Sequence, residues 1–316
     1  MRYQLAPLYC RPWTLNGISA RLIESHYENN YGAALNRLNA ISQEIEQLDF
    51  SNTSDQSLAR LKRDEIVALN STLLHELYFA SLGGDGRVLP GALASAIAKD
   101  FGSVDRWRQE FAGIANGLAG GSGWVLLTRS PRPENGGGTL SNVWAADHTH
   151  GLAGGTPVLA LDMYEHAYHL DFGSNAAAYV DAFMNNIAWE RVANRFAGNS
   201  SQKKPHTVDA PTARAMLEAD PDLLVIDARL ADDATTVPVR LRGARRAPPD
   251  KVDEVAASLP RGAKALVYCA WGFEIGGDCA AKLRERGIDA VALAGGIGTW
   301  RADGLPTEPL KETEIK

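Results

Sequence analysis

Apolar residues recur at three- and four-residue intervals through ISARLIESHYENNYGAALNRLNAISQEIEQL, and Ser19 stands where such a helix takes its N-cap. A second run of the same period, SLARLKRDEIVALNSTLLHELYFASL, stops at Gly83-Gly84. The two predict an antiparallel helical hairpin, and shorter helices are predicted over about 89–101 and 103–116. The period then shortens. GWVLLT from 123, LSNVWAA from 140 and PVLALD from 157 are strand-length apolar runs, separated by turn residues that include SPRPENGGG. One more helix is predicted over about 175–196, through AYVDAFMNNIAWERVANRF.

The stretch AGNSSQKKPH is small and polar and reads as a linker. Beyond it helix and strand alternate: helix near 211–219, strand at 223–229, helix near 250–258, strand at 265–270, helix at 275–287, strand at 290–296. Such alternation predicts a parallel sheet with helices on both faces. The expected organisation is therefore a helical hairpin over 1–85, an α+β part with a small antiparallel sheet over 86–197, a linker over 198–206 and an α/β domain over 207–316. A chain of 316 residues is long enough for two cores.

Composition narrows the function. A hydrophobic content of 45% with 22% charged residues is ordinary for a soluble protein. The net charge of −6 leaves no basic excess to neutralise phosphates, which argues against nucleic acid as a partner. Met1 opens no secretory leader, and no apolar run is long enough to span a bilayer, so no membrane partner is expected. Cys10, Cys269 and Cys279 form no C-x-x-C, which fits a reducing, cytoplasmic setting.

Chemistry concentrates in DMYEHAYH, where a strand ends in an Asp, a Glu and two His. A polar loop after a buried strand is the plain explanation. Asp162 and His166, however, stand four residues apart and share a side wherever the chain turns helical. His26 and His75 each lie within one of the two long helices, and helices packed on the strand end bring them to the same point. Three imidazoles and one carboxylate, with a position left for solvent, suit a redox-active first-row metal.

These pieces resemble the iron/manganese superoxide dismutase family over roughly residues 1–197, through SHYENNYGAALNRLN, LLHELYF, AGGSGWVLL, DMYEHAYHLDFG and NIAWERV. The resemblance implies His26, His75, Asp162 and His166 as ligands of one iron or manganese ion per chain, with a slight lean to iron, and superoxide as substrate. It also implies a donor to the bound solvent, Gln or His, from the second ligand helix or the middle of the three strands. Ser71 on the helix is too short, so His148 in WAADHTH takes that role, with His150 as its rival. Glu165 matches the family residue that reaches a ligand His of a second subunit, which implies a homodimer or a larger assembly. Trp124 and Tyr78 match pocket walls. Four positions depart from the family: Asn30 and Ala34 stand where His and Tyr are usual, His169 replaces a Tyr, and Tyr164 replaces a Trp. They imply a remodelled gateway in which Asn30 and His169 take over from the missing groups.

In the second half, strand ALVYC runs into AWGFE and a helix. A Cys at the carboxyl end of a parallel strand, before a helix N-terminus, is expected to have a lowered pKa. VIDAR, VYCAWGFE, LAGGIGTW and GLP resemble a rhodanese domain over about 207–312. The resemblance implies Cys269 as sulfur acceptor in the loop Cys269, Ala270, Trp271, Gly272, Phe273, Glu274, supported by Asp227 and Arg229. Glu274 stands where Arg often closes the loop, so a donor other than thiosulfate is expected, with donor and acceptor unnamed. Arg240 replaces a usual His, and Cys279 is a core residue or a resolving thiol. The competing reading is a metal-binding interaction protein of low turnover, with a rhodanese-like docking module.

Overall fold

The computed structural model describes residues 3–6, 8–87, 89–130, 138–198, 206–272 and 274–315. Most of the expected linker and the turn at 131–137 lie outside the described residues. The chain divides into two compact units, Cys10–Ser201 and a second built from Gln202–Lys316 together with Met1–Tyr9. The N-terminal nine residues therefore belong with the carboxyl-terminal unit, whereas the sequence placed them with the helical hairpin.

In the first unit Ser19 caps α1 (Ala20–Ser25), its Oγ accepting from the Leu22 amide at 3.1 Å. The chain then widens into one π-helical turn, His26–Tyr31, before α2 (Gly32–Glu46). The sequence pattern predicts one uninterrupted helix here. The wider turn has a physical cause. Tyr27, Tyr31 and Leu35 are all buried at intervals of four, and in an α-helix each such step drifts by about 40° from the inner face. A turn with more residues keeps them inward.

Helix α3 (Asp55–Ser81) runs alongside α2 and closes the hairpin, with Leu61, Ala68, Leu74, Tyr78 and Phe79 buried. After α4 (Gly91–Phe101) and α5 (Val104–Gly117) come β1 (Trp124–Ser130), β2 (Thr139–Ala145) and β3 (Thr156–Asp162). They form an antiparallel sheet in the order β2-β1-β3. The strand that is middle in sequence is thus an edge in space, and β1 is the buried centre. Register sets Trp124 opposite Asp162.

A 3₁₀ turn (Glu165–Ala167) and a short helix, α6 (His169–Phe172), follow, then α7 (Ala176–Met184) and α8 (Trp189–Phe196). The last predicted helix is thus broken in two. At the break Ile187 bridges Leu82, and the Ala188 amide donates to the Ser81 carbonyl at 2.7 Å. Gly84 allows this approach, since a Cβ there would lie 2.2 Å from the Ile187 oxygen.

The second unit runs β4 (Thr207–Val208), α9 (Ala210–Ala219), β5 (Leu224–Asp227), α10 (Ala231–Thr236), β6 (Val239–Leu241), β7 (Arg245–Arg246), α11 (Val252–Ser258), β8 (Lys264–Tyr268), α12 (Glu274–Glu285), β9 (Asp289–Leu293), α13 (Gly296–Ala302) and β10 (Thr307–Pro309). Five strands form a parallel sheet in the order β4-β9-β8-β5-β7, and β6 and β10 pair separately and antiparallel. Alternate residues enter opposite cores: Ile226 and Val267 pack with Val252, Val255 and Leu283, while Val225, Leu266 and Tyr268 pack with Ile297 and Trp300. Burial on both faces accounts for the continuous apolar runs of these strands.

Candidate metal centre

Four elements of the first unit meet at one point. The π turn presents His26, α3 presents His75, β3 ends on Asp162, and the 3₁₀ turn presents His166. One donor atom from each lies within 4.8 Å of all the others. Asp162 Oδ2 is 3.1 Å from His26 Nε2, 3.2 Å from His166 Nε2 and 3.6 Å from His75 Nε2. An ion about 2.1 Å from each donor separates neighbouring ligands by about 3.0 Å at right angles and about 3.6 Å at 120°. The three spacings to Asp162 match such a shared centre.

Protonation fits as well. His75 Nδ1 lies 2.7 Å from the Ser71 carbonyl and donates to it, so Nε2 carries the lone pair. That Nε2 is buried without a hydrogen-bond partner, as is His26 Nδ1. Burial lowers the pKa of His26, and pushes that of His75 down to about 3, keeping both neutral. For Asp162 burial acts upward, but hydrogen bonds from His166 and His26 outweigh it and hold the carboxyl well below the usual range. A fully buried carboxylate beside two neutral buried imidazoles, one with an orphaned lone pair, is what a cation satisfies.

The surrounding groups orient this set. Asp162 Oδ1 accepts from the Tyr164 amide at 2.8 Å, and its backbone oxygen accepts from the Tyr179 hydroxyl at 2.9 Å. Tyr78 and Phe79 each lie with ring centroids 5.0 Å from His26, and Trp124 stands edge-on to His75 at 5.3 Å.

His148 follows β2 by three residues, in a turn rather than on the strand. Its ring centroid is 6.3 Å from that of His75. The Trp124 indole donates to His148 Nδ1 at 3.0 Å, and Asn70 on α3 donates to the His148 carbonyl at 2.5 Å. Because an indole N–H only donates, the neutral His148 ring carries its hydrogen on Nε2 and offers a donor there. Burial lowers its pKa and favours that neutral form. His150, the alternative, is half-exposed, bonded to Asp147 at 3.0 Å and set against Trp144. The roles of Tyr179 and Asn70 are not legible in the sequence, since each depends on a partner in another element, whereas Ser71, too short as a side-chain donor, contributes its carbonyl to His75 on the same helix.

Of the gateway residues, Asn30 and Ala34 are half-buried. His169 opens α6 and is exposed, as is Glu165. Among the described residues, neither Asn30 nor His169 is hydrogen-bonded to the four donors. Tyr31 donates to Glu76 at 2.9 Å, beside His75.

In the second unit Cys269 follows the last residue of β8, which pairs with Asp227 at the carboxyl end of β5. The crevice beyond strand ends is where open α/β sheets place their ligands. Amides of Gly276, Trp271 and Gly272 hydrogen-bond the Cys269 sulfur, yet burial outweighs them and the pKa is raised. This corrects the lowered value expected from the helix terminus: the amide cradle exists, but the thiol is 4% exposed. The loop folds back tightly, since a Cβ on Gly272 would lie 2.1 Å from the Gly295 nitrogen and one on Gly296 would lie 2.3 Å from the Cys269 oxygen. Ala270 and Trp271 are buried in this loop. Phe273 and the side chain of Glu274 lie outside the described residues. Asp227 and Arg229 form a fully buried two-pronged pair at 2.9 and 2.7 Å. Arg240 pairs instead with Glu308 and Glu314, and Cys279 is buried in the apolar core.

Residues 89–195 match the family described as iron/manganese superoxide dismutases, C-terminal domain. Over 197 residues, 62% of this chain and 98% of the relative, the sequence is 59% identical to a Cupriavidus metallidurans protein named superoxide dismutase [Fe]. It is 33% identical over 201 residues to superoxide dismutase [Mn] 1 of Halobacterium salinarum, covering 61% of this chain and 94% of that one. A superoxide dismutase [Fe] of Aquifex aeolicus is 31% identical over 194 residues, covering 60% and 88%.

Proposed function

Because this chain belongs to the iron/manganese superoxide dismutase family, we propose that it disproportionates superoxide to dioxygen and hydrogen peroxide at one ion held by His26, His75, Asp162 and His166. The convergence of those four donors carries the reading. When bound, iron or manganese supplies a one-electron couple that takes an electron from one superoxide and returns it to the next.

The chain's own residues do the rest. The donor set brings a single negative charge, from Asp162, and burial keeps His26 and His75 neutral, so the positive charge of a bound ion would outweigh it and the site would favour an anionic substrate. Two protons must reach the second superoxide before hydrogen peroxide leaves. His148 Nε2–H is the donor for the solvent side of the site, held there by Trp124. Iron is proposed over manganese, in line with the 59% identical relative. Glu165, exposed beside the half-buried His166, is proposed as the link to a second copy of the chain in a homodimer. Superoxide loss measured with iron-loaded and manganese-loaded protein tests the reading.

The second unit is proposed as a sulfurtransferase or persulfide-carrying module, supported by the amide cradle around Cys269. The Cys269 thiolate takes the outer sulfur of a donor less anionic than thiosulfate, whose leaving group departs with the bonding pair. Cyanolysis of sulfur-loaded protein and of Cys269→Ser tests it, and absence of Cys269-dependent sulfane sulfur rejects it. A pH dependence follows from the raised thiol pKa. Iodoacetamide labelling of Cys269 is expected to be slow at pH 7 and still rising above pH 8.5, about where an ordinary thiol is half ionised. A plateau below pH 8 contradicts the closed loop.

One observation favours a second reading of the first unit. Asn30 and Ala34 leave two gateway positions without a titratable group, which suits a metal-binding interaction protein of low turnover.

A further inference from the structure

We infer that Tyr164 is the positioning residue that aims His148 at the metal site, its ring serving as a spacer between the outer donor and the ligand His166. Three rings stand nearly parallel in sequence through space: His148 on Tyr164 at 4.9 Å and 11°, and Tyr164 on His166 at 5.4 Å and 17°.

His148 needs such a spacer. It lies in a turn beyond the edge strand, so no strand pairing fixes its backbone. Asn70 holds its carbonyl and Trp124 holds Nδ1. A single hydrogen bond at Nδ1 still lets the imidazole swing about the line from Cβ to the indole, moving Nε2 off its target. A flat ring against one face blocks that swing, and Tyr164 supplies it. Tyr164 is itself anchored, because its amide is bonded to Asp162 Oδ1 at 2.8 Å. One residue therefore registers the ligand carboxylate through its backbone and the outer donor through its ring. Aromatic packing of this offset, parallel kind is attractive and orientation-specific.

Tyr164 stands where the family has Trp, and His148 takes a role that Gln or His fills. The structure assigns these two positions to one packing unit. The inference rests on the metal-site reading of the cluster, but it makes its own prediction about the metal-free protein. In ¹⁵N-edited NMR of imidazole-labelled metal-free protein, His148 is expected as one tautomer with a slowly exchanging Nε2–H. Tyr164→Phe keeps the ring and is expected to preserve that signature, with dismutation within about twofold of the parent. Tyr164→Leu is expected to keep the tautomer that Trp124 fixes but to give fast exchange of the Nε2–H. At unchanged metal content its dismutation is expected to fall by about tenfold, the lower end for losing an orienting partner.

A His148 signal in Tyr164→Leu identical to the parent's overturns the inference. So does a Tyr164→Phe protein as disturbed as Tyr164→Leu, because the hydroxyl rather than the ring is then acting. Should Tyr164→Leu fail to fold, Tyr164→Met takes its place: Nε2–H protection equal to the parent's overturns the inference, and faster exchange there together with an unchanged Tyr164→Phe upholds it. Absence of dismutation in every protein, with these NMR outcomes intact, counts against the enzyme reading alone.

Discussion

Asp162→Asn is expected to empty the metal site. The carboxylate is the only charged donor among the four, and its Oδ2 lies 3.1 to 3.6 Å from three imidazole nitrogens. The amide is nearly isosteric, so the pocket keeps its shape while the anion is lost. Partners of metal ligands alone change affinity by about 10–100-fold when removed, and a direct ligand is expected to exceed the upper figure. Metal per chain, read by elemental analysis after dialysis, should drop to a small fraction of the parent's, with dismutation following it.

The same substitution separates two acid effects on the metal-free fold. His26 and His75 have depressed pKa values in the fold. Below about pH 6.5, where the unfolded side chains take up protons, each therefore withdraws about 1.4 kcal/mol of stability per pH unit. Asp162 is also depressed, so its contribution is present above about pH 4 and is lost as pH falls further. Urea denaturation across this range should show both stages in the metal-free parent, and only the histidine stage in Asp162→Asn. A lower stage that persists in Asp162→Asn would place the responsible carboxyl elsewhere.

Arg229→Ala is expected to cost the second unit about 3–5 kcal/mol, the range for removing one partner of a buried ion pair. The guanidinium bonds Asp227 at 2.9 and 2.7 Å, and it also donates to the carbonyls of Val237 and Val239 at 2.7 and 2.8 Å. Truncation strands the Asp227 carboxylate, which is fully buried, and leaves two carbonyls without that donor. Arg246, 3.5 Å from the same carboxylate, is too distant to replace it. Domains of this size are stable by about 5–15 kcal/mol, so calorimetry should show the transition of this unit lowered by on the order of 15 °C or more. Pairing it with Asp227→Asn should recover part of the loss, since the stranded charge is then gone. A cost below about 1 kcal/mol would mean that the pair does not hold the strand ends together.

Much of the metal site was legible because DMYEHAYH compresses two donors into one motif, and because each remaining histidine sits in a long amphipathic run. The local shape of the site was less so. The π turn carrying His26 leaves no breaker in the sequence, and only the burial of Tyr27, Tyr31 and Leu35 together reveals it. Nor could His148 be given a tautomer from WAADHTH, because the indole that fixes it comes from β1. The alternating period of the second half gave its parallel sheet. It hid α10, α13 and the β6–β10 pair, which are too short to show a period. The Cys269 thiol went astray for a related reason: a helix N-terminus is visible in sequence, but the burial that outweighs it is not. The first nine residues read as part of the hairpin domain because they precede it, whereas their neighbours in space come from the other end of the chain.

The central claim is that His26, His75, Asp162 and His166 hold a catalytically competent ion. Stopped-flow decay of superoxide should be compared between metal-free protein and protein carrying one iron per chain, at equal chain concentration and with manganese-loaded protein alongside. The account predicts decay that accelerates in proportion to bound metal and is lost in Asp162→Asn. Full occupancy of all four ligands with no acceleration by either metal would contradict it.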